Sequence, residues 1–253
     1  MHPVLLRLGP LTIGAYSAML ALSFLLGILL ASRRARRRAI DTNVLLDVGL
    51  LSLVLSIAGA RALHVAFHLD RIASWRDAVA LSSGGLSMYG GVIAAMGGCW
   101  LYLRWRGVRF LPVADVVAPS VALGLGVTRI GCFLNGCCYG RPTALPFGVH
   151  FPVGSHAADA FGAAALHPTQ LYSSATGFLM LLALLAFERQ HRHEGQVFGL
   201  FLVLDAIGRF GLDFVRSYEA NAYVLRGLTV HQLITAALFT LGVLLLARGE
   251  ACR

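Results

Sequence analysis

The chain is dominated by apolar stretches of about 20 residues, each bounded by polar or charged residues. Such a stretch, when helical, matches the hydrocarbon thickness of a lipid bilayer. Of the 253 residues, 57% are hydrophobic and only 13% are charged. A soluble domain of this length needs a larger charged surface to cover its core. The pattern therefore predicts a membrane protein and excludes a soluble globule.

About seven of these stretches are present, which predicts an all-α, polytopic membrane protein with a single transmembrane domain over residues 1–253. The fourth stretch is the least regular, because it contains Asp115 and Pro119. A further interfacial helix is expected near residues 70–80. The predicted spans are 11–32, 44–66, 86–104, 111–128, 169–187, 196–215 and 229–247.

The net charge of +9 comes from Arg residues that cluster beside the apolar stretches, most densely between residues 33 and 38. No basic patch with interleaved aromatic residues is present in the sequence, so nucleic acid is not an expected partner. Successive connections between spans lie on opposite sides of the membrane. The connections on one side, together with the C-terminal segment, hold twelve Arg residues, and those on the other side, together with the N-terminal segment, hold seven. Because positive charge collects on the cytoplasmic side, the N-terminus is predicted outside and the C-terminus in the cytoplasm. The connection 129–168 then faces outward.

Two Arg residues stand where a charge is costly. Arg209 lies inside a predicted span, four residues from both Asp205 and Asp213, so the three share one helix face. Because a charge in a span costs at least ~2.5 kcal/mol, Arg209 belongs to either a structural ion pair or an anion site, and the residues leave both open. Arg129 directly follows the fourth predicted span, at its outer end. Two guanidinium groups facing one cavity would suit a phosphate.

Three cysteines, Cys132, Cys137 and Cys138, follow Arg129 closely. The adjacent pair does not match the Cys-x2-4-Cys ligand spacing of zinc sites, and none of the three forms a Cys-x-x-Cys redox pair. The spacing favours small apolar packing residues over a zinc or redox site, and no metal is predicted.

Together these segments resemble the prolipoprotein diacylglyceryl transferase family, whose signature reads approximately Gly-Arg-x-Gly-Asn-Phe-x-Asn-x-Glu-x-x-Gly. In this chain Thr128, Cys132 and Cys137 stand where Gly, Asn and Glu are commonest. Tyr89 replaces a common His, and Asp205 replaces a common Tyr. The resemblance runs in order through Tyr16, Gly90 and Gly91, Ala114 to Pro119, the signature from Arg129 to Gly140, His167 to Tyr172, Gly208 to Phe210, Asp213 to Arg216, and Gln232.

The resemblance implies transfer of a diacylglyceryl group from phosphatidylglycerol to the lipobox cysteine thiol of precursor lipoproteins, in the bacterial inner membrane and without a cofactor. Phosphatidylglycerol, the precursors and membrane lipid are the expected partners. Tyr89, with a pKa near ~10, is a poor base and is expected to orient phosphate or glycerol, which leaves the general base unassigned. The resemblance implies Arg129, Arg209 and Tyr89 as catalytic residues, and Tyr16, Asn135, Gly140 and Asp213 as substrate-binding residues.

Arg129 and Arg209 are expected to converge on one phosphate, with Arg216 outside the site. Two other functions stay open. A transporter or anion pore would use the two Arg as a selectivity site, although the sequence shows no duplicated broken helices. A relative that binds lipid or lipoprotein without transfer would account for the changed residues at positions 89, 132, 137 and 205.

Overall fold

A computed structural model describes residues 4–8, 11–69, 87–190, 193–217, 223–225 and 228–248. The described part is mainly helical, which confirms the predicted helical class. One short helix, α5, lies in the connection after the fourth long helix. The helices are α1 (Ala15–Arg37), α2 (Thr42–Phe67), α3 (Met88–Trp105), α4 (Phe110–Asn135), α5 (His156–Phe161), α6 (Thr169–Glu188), α7 (Gln196–Asp213) and α8 (Val230–Arg248).

Within the described residues, three two-stranded antiparallel ladders accompany the helices, and the all-α prediction missed them. The predicted start of the first span was also wrong, since residues 11–14 form a strand and α1 begins at Ala15. Thr12 and Ile13 are β-branched and favour the extended backbone, which pairs with the preceding strand. The ladders are β1 (Val4–Leu8) with β2 (Leu11–Gly14), β3 (Val149–His150) with β4 (Ala165–Leu166), and β5 (Tyr223–Leu225) with β6 (Leu228–Thr229).

In the part of the chain that the structure describes, four helices, α1, α2, α4 and α6, are long and apolar enough to cross a membrane. The other long helices, α3, α7 and α8, have 18, 18 and 19 residues and overlap the remaining predicted spans. The number of crossings therefore stays a prediction, whereas the membrane class is supported directly. The interfacial helix expected near residues 70–80 lies outside the described residues.

The fourth predicted span is a single continuous helix that is longer than expected. It runs on to Asn135 instead of ending at 128, and Pro119 stands inside it. Gly131 allows the extra turns to pack closely against α1, because a Cβ there would lie 2.9 Å from the Cβ of Met19 and 3.2 Å from the Cα of Tyr16. The extension puts Arg129 inside the last turns of α4, close to the first turn of α1.

Asp115, which made this span look irregular, is fully buried and caps another helix. Its Oδ2 accepts a hydrogen bond from the Gly195 N–H (2.7 Å), and its Oδ1 accepts one from the Phe198 N–H (2.8 Å). These N–H groups belong to the start of α7, where four backbone donors lack helical partners. The carboxylate therefore satisfies the beginning of α7 and faces the positive end of its dipole.

The chain divides into two compact units, Met1–Ala31 with Ala114–Arg253, and Ser32–Val113. In the second unit α2 and α3 pack closely, since a Cβ at Gly59 would lie 2.5 Å from the Gly90 carbonyl oxygen. In the first unit α7 and α8 also pack closely at glycines, since a Cβ at Gly199 would lie 2.9 Å from the Gly242 carbonyl oxygen. Such small-residue contacts are typical of helix packing in membranes.

Candidate functional site

Residues 136–141, here called the signature loop, leave the end of α4 and are fixed by the first turn of α6. The Thr169 hydroxyl donates to the Cys138 carbonyl oxygen (2.8 Å), and the Gln170 Nε2 donates to the Cys137 carbonyl oxygen (2.7 Å). Both donors are buried. Hydrogen bonds with little access to water hold backbone groups firmly, so the loop has a defined shape.

Gly140 ends the signature loop in a crowded position. Its N–H donates to the His167 carbonyl oxygen (3.0 Å), and the next residue, Arg141, donates its N–H to the Val215 carbonyl oxygen (2.9 Å). A Cβ at Gly140 would lie 2.6 Å from that same Val215 oxygen. The glycine thus allows the loop to contact the chain that follows α7. Because its N–H is used, a headgroup contact at Gly140 would involve its carbonyl.

The loop brings three thiols together. The Sγ atoms of Cys132, Cys137 and Cys138 all lie within 4.8 Å of one another, and this group is here called the thiol cluster. Cys132 is buried in the last turn of α4, whereas the other two are half-buried. Cys138 has a φ of 61°, in the left-handed region that non-glycine residues rarely adopt. Cys132 and Cys137, with four residues between them, match Cys-x2-4-Cys spacing, and the adjacent Cys138 was the residue whose convergence the spacing did not indicate.

Three residues predicted for the site surround the thiol cluster. Tyr16 interacts electrostatically with all three thiols and with Arg129. The side chain of Asn135 lies near the Cys137 thiol, which donates a hydrogen bond to the Cys132 carbonyl oxygen (3.7 Å). The positive charge of Arg129 acts on the Cys138 thiol. Among the described residues, the Arg129 side chain has no ion pair or hydrogen bond. The ends of α1 and α4 therefore gather a phenol, an amide and a guanidinium around one loop.

Arg216, which the sequence placed outside the phosphate site, adds a second positive charge that acts on the thiol cluster. Hydrogen bonds from Cys132 and Cys137 lower the pKa of the Cys138 thiol, and the charges of Arg129 and Arg216 lower it further. Cys138 follows α4 and lies outside the candidate spans. Two positive charges, one before and one after Cys138 in the sequence, thus act on its sulfur and favour the thiolate form.

Arg209 has a carboxylate partner on its own helix. Its Nε lies 2.7 Å from Asp205 Oδ2, and the two side chains are 38% and 14% exposed. Asp205 therefore makes this ion pair, and the predicted substrate-binding role of Asp213 stays a prediction. This bond uses one of the five guanidinium N–H donors, so the ion pair leaves four donors for another acceptor.

Two clefts flank the signature loop. One of about 540 Å³ lies between the start of α6 and the end of α7, and one of about 400 Å³ lies beside Asn135. In the first, His167 Nδ1 and the Tyr172 hydroxyl are 3.4 Å apart. The first is lined by Phe147, His167, Tyr172, Gly211, Leu212 and Val215, and the second by Leu134, Asn135, Gly136, Pro152, Val153, Gly154, Ser155 and His156.

Gln170 is a site residue that sequence reasoning did not select. It is fully buried, and its Oε1 has no hydrogen-bond partner among the described residues, while its Nε2 holds the signature loop. A polar side chain just after Pro168, at a helix start, was the available signal. Tyr89 lies in α3, but its side chain is outside the described part of the structure.

The fold and the site define an α-helical membrane protein with guanidinium, thiol and amide groups gathered where α1 and α4 meet. The sequence profile of the prolipoprotein diacylglyceryl transferase family matches residues 3–248. The chain belongs to this family.

Curated relatives match over most of the chain, and each has the name phosphatidylglycerol–prolipoprotein diacylglyceryl transferase. The protein of Clostridium tetani (strain Massachusetts / E88) is 35% identical over 216 residues, covering 85% of this chain and 86% of its own. That of Parasynechococcus marenigrum (strain WH8102) is 34% identical over 252 residues, covering 95% and 91%. That of Nitratidesulfovibrio vulgaris (strain DP4) is 34% identical over 254 residues, covering 98% and 94%.

Proposed function

We propose that this chain transfers a diacylglyceryl group from phosphatidylglycerol to the lipobox cysteine thiol of precursor lipoproteins. The match to the transferase family over residues 3–248 is the observation that carries this proposal. The named activity of the relatives supports it, since they cover nearly the whole chain. The reaction forms a thioether and releases glycerol phosphate, and the nucleophilic sulfur comes from the precursor.

The arginines have the chemistry that this reaction requires. When the glyceryl carbon–oxygen bond breaks, negative charge gathers on the departing phosphate oxygen. A guanidinium group can hold two phosphate oxygens at once, and positioned positive charge is often the largest contribution to catalysis. Arg129 and Arg209 converge on the phosphodiester in this proposal. The donors that Arg209 does not give to Asp205 then bind the lipid.

The other predicted residues contact the substrate around the phosphate. Tyr16 and Asn135, which lie beside the thiol cluster, donate hydrogen bonds to the headgroup. Tyr89 orients phosphate or glycerol, and Asp213 orients an Arg. The Gly140 carbonyl, on the loop that joins α4 to the chain after α7, accepts from a glycerol hydroxyl.

The chain lies in the bacterial cytoplasmic membrane in this proposal, with seven crossings, the N-terminus outside and the C-terminus in the cytoplasm. The Arg residues in the last turn of α1 support this orientation, because they stand where cytoplasmic flanks collect positive charge. The signature loop then faces outward, on the side from which a translocated precursor arrives.

The purified protein, incubated with phosphatidylglycerol and a lipobox peptide, tests the function. A mass increase of the peptide by one diacylglyceryl group is expected, with glycerol phosphate released in equal amount. A peptide with Ser in place of the lipobox Cys is the matched control, and it should not change in mass. Peptide and lipid binding without any mass change would instead indicate a non-transferring relative, and anion flux through protein-containing vesicles would indicate a pore.

A further inference from the structure

The thiol cluster depends on one unusual backbone angle. Side chains of neighbouring residues in an extended chain point to opposite sides, so adjacent cysteines do not ordinarily reach one point. The φ of 61° at Cys138 removes that alternation, and the carbonyls on either side are held by Thr169 and Gln170. A left-handed non-glycine residue costs on the order of 1–2 kcal/mol. The fold sustains this cost at the position where three sulfurs meet.

The spacing of the sulfurs fits a thiolate-bound metal ion. Two sulfurs at about 2.3 Å from a tetrahedral zinc ion lie about 3.8 Å apart. The Sγ atoms lie within 4.8 Å of one another, so rotations that move them by at most about 1 Å would complete the site. Soft sulfur donors favour zinc and Cu(I) and disfavour Mg²⁺ and Ca²⁺, which take oxygen.

The charges around the cluster suit a zinc ion. Three thiolates and one Zn²⁺ carry a net charge of −1, and a buried charge of this kind needs positive partners. Arg129 and Arg216 both act on Cys138 and supply them. Among the described residues, no fourth His, Cys, Asp or Glu joins the cluster. Three protein ligands with one open position are the arrangement of catalytic zinc sites, whereas structural sites have four.

We propose that Cys132, Cys137 and Cys138 bind a zinc ion whose open fourth position takes the acceptor thiol of the precursor. The proposal rests on the proposed function and supplies what that function lacks here. Tyr89 is a poor base, and a thiol with a pKa near ~8.5 is mostly protonated at neutral pH. A thiol that coordinates zinc loses its proton outright. The cluster thereby activates the nucleophile without a general base.

The transfer step balances in this scheme. The precursor thiol releases its proton to solvent on binding the metal. Its sulfur then attacks the glyceryl carbon that is bonded to the phosphate oxygen, so that a carbon–sulfur bond forms and the carbon–oxygen bond breaks. The electron pair of the broken bond stays on the phosphate as its second negative charge, beside Arg129. No oxidant or reductant is required, because zinc does not change its redox state.

Metal binding is measured first on the unmodified protein, by metal analysis and by competition with a chromogenic zinc chelator. One zinc ion per chain is expected. Replacing Cys132, Cys137 or Cys138 singly by Ser should lower zinc affinity more than about 100-fold, beyond the 10–100-fold typical of losing an outer partner of a metal ligand. Cys99→Ser is the matched control, since Cys99 is a free cysteine that lies outside the cluster.

The fourth position is tested with Co²⁺ in place of zinc, because thiolate-to-cobalt absorption reports the number of sulfur ligands. Adding a lipobox peptide should increase this absorption, whereas the peptide with Ser in place of Cys should not. The protein does not need to turn over in this measurement. Zinc binding with the expected spectral change but no lipid transfer would support the site and refute the proposed function.

Three results would overturn the site itself. The first is an unmodified protein without stoichiometric zinc after exposure to Zn²⁺. The second is a disulfide within the cluster in the active protein, seen as a mass lower by two hydrogens. The third is full zinc affinity in the Ser variants. If those variants do not fold, the chelator titration of the unmodified protein still decides whether the chain binds zinc stoichiometrically.

Discussion

Replacing Asp115 by Asn would disturb the start of α7 without changing the volume of a buried side chain. The two carboxylate oxygens accept hydrogen bonds from the N–H groups of Gly195 and Phe198 at 2.7 and 2.8 Å. An amide has one oxygen, so its NH₂ group must face one of these N–H donors. One backbone donor is then left without this acceptor, and the negative charge at the helix start is lost.

The structure allows the size of the effect to be estimated. A hydrogen bond to a charged group contributes about 1.5–3 kcal/mol, and a buried donor left unpaired costs about 1–3 kcal/mol. The charge at the α7 N-terminus adds up to ~2 kcal/mol when partly buried. These contributions overlap, so a loss of about 3 kcal/mol is expected for Asp115→Asn. For a chain of this size that corresponds to a fall in melting temperature of roughly 6 °C or more.

Thermal unfolding in detergent measures this loss, and Asp41→Asn is the control. Asp41 caps α2 with one exposed hydrogen bond to the Asn43 N–H (2.9 Å). Asn caps helices as well as Asp does, so this change should cost less than about 0.5 kcal/mol. Equal melting temperatures for the two variants would refute the reasoning, because burial and the second hydrogen bond would then contribute nothing.

Three further predictions concern the site and its orientation. Gly140→Ala should destabilise the protein by about 1–3 kcal/mol and abolish transfer, because its Cβ would meet the Val215 oxygen at 2.6 Å. An unchanged melting temperature and an unchanged transfer rate would contradict this. Arg129→Lys and Arg209→Lys should each lower transfer about 100-fold, and the double variant little more, while the exposed Arg189→Lys stays near the unmodified rate. A fluorescent protein fused to the C-terminus should fluoresce in cells, and a dark but intact fusion would contradict the cytoplasmic placement.

The helical framework was predictable because it depends on local properties of the chain. A long apolar stretch favours the helix in lipid, so the positions of the long helices follow from hydropathy, whereas the number of crossings stays a prediction. The errors lie at the ends. Residues 11–14 form a strand that only pairing with β1 explains, and α4 continues past 128 because Gly131 packs against α1. Both depend on contacts with other elements, which a hydropathy pattern does not contain.

Several of the predicted site residues lie close together in the structure, but their arrangement was not predicted. Arg129, Tyr16 and Asn135 were identified from the family resemblance, and the structure places them around one loop. The proximity of the three thiols was not predicted, because the adjacent Cys137 and Cys138 come together where Cys138 has a φ of 61°. Gln170 gave only a weak signal, since its role depends on a bond to a residue 33 positions away.

The positions that depart from the family signature are related through charge. The family commonly has Glu where this chain has Cys137, so the signature loop lacks that carboxylate. The family commonly has Tyr where this chain has Asp205, so α7 has gained one. The structure pairs that carboxylate with Arg209 at 2.7 Å and shows no carboxylate on Arg129 among the described residues. In the proposed function, a lipid phosphate therefore meets an Arg209 that is already paired with a carboxylate and an Arg129 whose positive charge acts on the Cys138 thiol. If the proposed function holds, the departing phosphate and the sulfur nucleophile both lie near Arg129, and its positive charge stabilises both at the same end of α4.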